Sequence, residues 1–133
     1  MTTCESVRVL VVDDHRTVAD AVALALAGED GLECVGTAHT VTEARSLALT
    51  TVPDVVVMDV NLGPAGSTDG IDVAAELVQS IVGIRVIILT AFVDQALLRR
   101  ALGAGAVALL PKDGTLTELL EAVRGCSDDG FVV

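Results

Sequence analysis

Residues 7–15 read Val-Arg-Val-Leu-Val-Val-Asp-Asp-His. The run Val7 to Val12 is almost wholly apolar and rich in β-branched valine, which favours an extended strand. It lacks the alternation of apolar and polar positions that would let one face meet water, and burial on both faces marks a parallel sheet covered by helices. The run stops at two adjacent carboxylates, Asp13 and Asp14. Four more short apolar runs follow: Leu32 to Ala38, Val55 to Met58, Val86 to Leu89 and Ala106 to Leu110. The first of these four is less cleanly apolar than the others.

Between the runs lie segments of helical spacing. Val18, Val22 and Ala25 mark one apolar face, and Leu116, Leu119, Leu120 and Val123 another. Thr40 with Glu43 and Thr115 with Glu118 predict capping boxes at two helix starts, each side chain accepting from the other residue's backbone N–H. Five β-α units joined by right-handed crossovers make a doubly wound α/β domain with helices on both faces of the sheet.

Composition narrows the function. A chain of 133 residues that is 52% hydrophobic can bury a core and has the size of one domain. The 19 acidic and 8 basic residues leave a net charge of −11, which repels a nucleic-acid backbone and disfavours direct DNA binding. Phe92 and Phe131 are the only aromatics, so no stacking platform for bases can be built. No apolar stretch is long enough to span a bilayer and no secretory segment stands at the start, so a cytoplasmic protein without membrane contact is expected. Cys4, Cys34 and Cys126 are odd in number and widely spaced, which fits free thiols rather than a disulfide framework or a zinc site.

In open parallel sheets the ligand crevice lies at the carboxyl ends of the strands. Those ends carry Asp13 and Asp14 after the first run, Asp59 after the third, Thr90 after the fourth and Lys112 after the fifth. Each residue alone has an ordinary explanation, since Asp caps helices and forms turns and Lys is mostly a surface charge. Together they are a set. Three carboxylates in one place repel each other unless a cation sits among them, and oxygen ligands of this kind suit Mg²⁺. A hydroxyl and an ammonium would be superfluous for a metal, but they suit the oxygens of a phosphoryl group. Lys112 is moreover the only lysine, the other seven basic residues being arginine, and the two are not interchangeable at a small anion.

The motifs VRVLVVDDH at 7–15, VVVMDVNL at 55–62, VIILTA at 86–91 and GAVALLPKDG at 105–114 resemble, in order and spacing, the receiver domain of two-component response regulators. The likeness is to those of the NarL/FixJ family with LuxR-type output, and it covers about Val7 to Gly125. It implies a flavodoxin-like (βα)5 domain with sheet order 2-1-3-4-5. It implies that Asp59 is the phosphoacceptor and that Asp13, Asp14, Asp59 and the backbone carbonyl of Asn61 hold Mg²⁺, for which Mn²⁺ can substitute. Thr90 and Lys112 would engage the phosphoryl oxygens. The phosphoryl group would come from a sensor histidine kinase, and the response would be a conformational switch rather than turnover of a substrate. That switch would control an output domain, DNA-binding in such regulators, or a phosphorylation-dependent homodimer, through the surface of the fourth helix, fifth strand and fifth helix or that of the first and fifth helices. Residues 1–125 would form the receiver and 126–133 a tail or the start of a linker.

Several positions depart from the family pattern. Leu109 stands where many receivers have a switch aromatic, Gly63 where a proline is common, and the 62–70 loop is longer than usual. Pro111 precedes Lys112, whereas many receivers place proline after the lysine. Phe92, two residues past Thr90, is expected to screen an acyl phosphate from water and slow its loss. His15 is expected at an exposed helix start without a catalytic role, and His39 far from the crevice. Three other readings compete: an unphosphorylated docking module of the same fold, a haloacid-dehalogenase-type phosphatase and a flavin-binding domain. The phosphatase would need a general acid two residues beyond Asp59, where Asn61 cannot transfer a proton, and the crevice is too acidic for a flavin phosphate.

Overall fold

The computed structural model describes residues 6–62 and 70–125. The chain alternates strand and helix: β1 Val7–Val12, α1 Arg16–Ala27, β2 Leu32–Ala38, α2 Val41–Thr51, β3 Val55–Asp59, α3 Gly70–Ser80, β4 Arg85–Thr90, α4 Gln95–Ala104, β5 Ala108–Pro111 and α5 Leu116–Arg124. The sheet has the order β2-β1-β3-β4-β5, and every neighbouring pair is parallel. This is the doubly wound, flavodoxin-like arrangement the sequence predicts.

Period-two alternation along each strand feeds two aliphatic layers. Leu10, Val12, Val56, Met58, Val86, Ile88 and Leu109 point into one, which also takes Ala44 and Ala48 of α2, Leu77 of α3 and Ala101 of α4. Val9, Val11, Val55, Val57, Ile87, Leu89 and Leu110 point into the other, against Ala19, Val22 and Leu26 of α1 and Leu119 and Val123 of α5. β2 owes its mixed composition to its place at the sheet edge, where four of its residues are half-buried and its pairing with β1 shifts between Val9 and Leu10.

Two local expectations change. The buried face of α1 is Ala19, Val22 and Leu26, while Val18 is exposed; the small Ala19 lets the helix approach the sheet, which apolar spacing alone does not reveal. The capping box is complete at α5, where Thr115 N–H donates to Glu118 and Glu118 N–H donates to the Thr115 hydroxyl. At α2 it is only half formed. Thr40 caps Glu43, but the Glu43 carboxylate accepts from His39 N–H instead. The expectations about Cys4, Cys126, Phe131, the 126–133 tail and Gly63 with the rest of the loop between Leu62 and Gly70 lie outside the described residues.

The start of α3 is pressed against the end of β3. Gly70 N–H donates to Val60 O at 2.5 Å, and a Cβ at residue 70 would collide with the Asp59 backbone carbonyl. Only glycine permits that approach. Gly70→Ala is therefore expected to lower stability by about 3 kcal/mol, the upper end of ordinary single substitutions, as measured by urea unfolding.

Candidate functional site

β1 and β3 are adjacent, with Val12 opposite Met58, so the residues that follow, Asp13 and Asp59, emerge side by side at the carboxyl edge. Both are buried to within 2% of full burial, and with Thr90 they are the buried polar residues among those described. β4 and β5 extend the same edge: Thr90 pairs with Pro111, and Lys112 N–H donates to Thr90 O at 2.7 Å. That register swings the Lys112 side chain back over the edge, where Nζ lies 3.1 Å from Asp13 Oδ2 and 3.2 Å from Asp59 Oδ2. Pro111 is tolerated in the strand because β5 is at the sheet edge.

The carboxylates are not spent on helix capping. Asp13 Oδ1 accepts from His15 N–H at 2.9 Å, closing a short turn before α1, and α1 has no side-chain cap. Asp59 Oδ1 accepts from Asn61 N–H at 3.3 Å. Asp13 Oδ2, Asp14 Oδ1 and Asp59 Oδ2 are buried without a hydrogen-bond partner. Lys112 stands at ion-pair distance from the first and third but leaves the acidic cluster with excess negative charge. Burial and the neighbouring Asp13 charge raise the Asp59 pKa to about 6, against the opposing pull of Lys112. Burial alone would lower the Lys112 pKa, but pairing with Asp13 and Asp59 outweighs it and the ammonium is held more tightly than usual. Ligand atoms of Asp13, Asp14, His15 and Asp59 all lie within 4.8 Å of one another, and the three carboxylates of this set fit a divalent cation.

Thr90 reaches this edge, but its hydroxyl is engaged elsewhere: it donates to Phe92 O at 3.1 Å and accepts from Phe92 N–H at 3.2 Å. The Phe92 side chain is 76% exposed. Leu109 is fully buried in the layer that takes α4, with Leu97 and Leu98 packed against that layer, so the position where many receivers carry an aromatic is filled by core. His15 is exposed, as expected. His39 is not far from the crevice: its Nδ1 donates to the Asp13 backbone carbonyl at 3.0 Å. The sheet order could have revealed this, because His39 follows β2, and β2 neighbours β1. The close approach of Gly70 was also missed, since it depends on where a long loop returns. Cys34 is a free, half-buried thiol whose pKa burial raises.

Residues 9–124 match the model of the response regulator receiver domain family. The chain is 36% identical over 118 residues to the response regulator GacA of Pseudomonas viridiflava, covering 89% of this chain and 54% of that protein. It is 31% identical over 121 residues to the transcriptional regulatory protein LiaR of Bacillus subtilis (strain 168), covering 91% of this chain and 56% of LiaR. The NarL signal receiver domain from Mycobacterium tuberculosis superposes with a TM-score of 0.84 at 34% identity, covering 92% of this chain and 97% of that one. The chain thus spans about half the length of the curated relatives it matches. Among the described residues no helix is long and apolar enough to cross a membrane. The chain belongs to the receiver domain family of two-component response regulators, the signalling proteins that work by phosphorylation.

Proposed function

We propose that Asp59 is the phosphoacceptor of this receiver, taking a phosphoryl group in the cytoplasm from a phosphohistidine of a sensor histidine kinase. The observation that carries the reading is the cluster of three buried, hydrogen-bond-deficient carboxylate oxygens, two of which, Asp13 Oδ2 and Asp59 Oδ2, share one lysine ammonium. An Asp59 carboxylate oxygen attacks phosphorus, the phosphorus–nitrogen bond of the donor breaks, and its electron pair leaves with the donor imidazole. Asp13, Asp14, Asp59 and the Asn61 carbonyl would hold Mg²⁺, which when bound neutralises charge and aligns phosphoryl oxygens. Lys112 already lies beside Asp59 and is placed to pair with the transferred group. Thr90 leaves Phe92 to donate its hydroxyl to a phosphoryl oxygen, freeing the segment that leads into α4.

The signal would pass to an output domain or to a second receiver. A cleft of about 330 Å³ between α1 and α5, lined by Val18, Ala21, Leu116 and Leu119 and reaching Lys112, supports the first-and-fifth-helix face as a docking surface. Regulation of transcription through a DNA-binding output is supported by the matched regulators. Among the described residues an unphosphorylated docking module draws support from Leu109, which forgoes the aromatic switch. Family membership sets the phosphatase and flavin readings aside.

Without a metal, the acidic cluster opposes folding at neutral pH. The folded state raises the Asp59 pKa from 3.8 to about 6, so it favours the neutral carboxyl, and stability rises as pH falls through about 6 toward 3.8. Asp59→Asn removes this penalty. In metal-free buffer the variant is expected to be about 1–3 kcal/mol more stable than the wild type at pH 7.5, with the gap roughly halved at pH 5 and closing only as pH falls below about 3.8 in thermal unfolding. Mg²⁺ at a hundred times its Kd is expected to stabilise the wild type by about 2.7 kcal/mol at pH 7.5. The direct test is intact-mass analysis after incubation with Mg²⁺ and acetyl phosphate, then with a purified phosphorylated kinase domain. One phosphoryl adduct is expected on the wild type, and none on Asp59→Asn or in the presence of a chelator. Persistence of the adduct in Asp59→Asn would overturn the assignment.

A further inference from the structure

His15 is the one group at the site that the phosphoryl-transfer reading leaves without work. Its ring does not cap α1, where no side-chain cap is made, and it stands 67% exposed at the mouth of the carboxylate cluster. Nδ1 lies 3.0 Å from Asp14 Oδ1 and is hydrogen-bonded at 3.3 Å to Asp13 Oδ1, a bond whose proton a bound cation would replace. The closer pair is not a hydrogen bond, since the buried Asp14 Oδ1 has no partner of acceptable geometry. Two ligand atoms at right angles around an ion bonded at about 2.1 Å stand about 3.0 Å apart. The nitrogen and the two carboxylate oxygens therefore already have the spacing of neighbouring ligands on one cation. Asp13, with its side chain 3% exposed, turns its unbonded Oδ2 into the same cluster, as does Asp59.

We propose that His15 Nδ1 is a metal ligand, which makes this a site for a borderline transition ion of the Zn²⁺ or Ni²⁺ class in competition with Mg²⁺. The proposal rests on the reading of Asp13, Asp14 and Asp59 as metal ligands and adds a nitrogen to that set. Carboxylate and carbonyl oxygens suit Mg²⁺, whereas imidazole nitrogen favours Ni²⁺ and Zn²⁺, so His15 raises affinity for the second class without helping the first. An ion held by the additional ligand has one position fewer for exchangeable water or a phosphoryl oxygen. Transition-ion occupancy would thus compete with phosphoryl transfer.

The experiment compares the wild type and His15→Ala. Each is titrated calorimetrically at neutral pH with MgCl2, NiCl2 and ZnCl2, and the imidazole ¹⁵N resonances are followed by NMR during the Mg²⁺ and Zn²⁺ titrations. The chain has two histidines, so the spectrum has two imidazoles to assign. The expected result is that His15→Ala loses at least about tenfold in Ni²⁺ and Zn²⁺ affinity while binding Mg²⁺ like the wild type. Zn²⁺ but not Mg²⁺ should shift Nδ1 of His15. Mg²⁺ binding accompanied by Ni²⁺ and Zn²⁺ affinities that His15→Ala leaves unchanged would overturn the His15 assignment alone. Failure of the wild type to bind Mg²⁺ would overturn the underlying metal-site reading as well.

Discussion

Asp13 and Asp59 emerge from neighbouring parallel strands, both nearly inaccessible to water, and Lys112 Nζ stands 3.1 and 3.2 Å from their oxygens. Burying two like charges this close is costly, and a single ammonium shared between them only partly offsets the cost. The strain is electrostatic and local. It raises the proton affinity of Asp59, leaves carboxylate oxygens without hydrogen bonds and makes the edge of the sheet receptive to further positive charge. The proposed cation binding and phosphoryl chemistry would both draw on that imbalance.

Such a cluster persists only on a rigid support. The two aliphatic layers supply it, since each central strand is buried on both faces and the side chains beneath Asp13 and Asp59 are fully packed valines and methionine. The small residues Ala19, Ala44, Ala48 and Ala101 let the helices approach closely. At the carboxyl edge Thr90 is held by two bonds to Phe92, and Phe92 itself is exposed. With Leu109 locked in the core, the proposed switch at Asp59 would have the Thr90–Phe92 segment as its route to α4, rather than an aromatic ring moving on β5.

Most of the fold could be read from apolar runs because buried parallel strands announce themselves: β1 and β2 have the predicted limits, and β3, β4 and β5 differ by one or two residues at their ends. Helix faces were harder. Alanine carries little hydrophobic signal, so the contact of Ala19 with the sheet was hidden and the exposed Val18 took its place. The half-formed box at Thr40 has a similar cause, because Glu43 has two backbone donors within reach and takes that of His39.

The identity of the strand-end residues, the excess of carboxylates over lysine and the linear order of the motifs are properties of the chain, and they suffice for a doubly wound fold and a phosphoryl site. The distances are not. That His39 braces Asp13, that Gly70 must be bare to pass the Asp59 carbonyl, that Thr90 is turned to Phe92 and that His15 stands at ligand spacing from two carboxylates all depend on which strands lie side by side and where loops return. Sequence periodicity reports which side of an element is buried. Contacts between residues far apart in the chain arise only when the sheet is assembled in the order β2-β1-β3-β4-β5, and the chemistry of the site is made of those contacts.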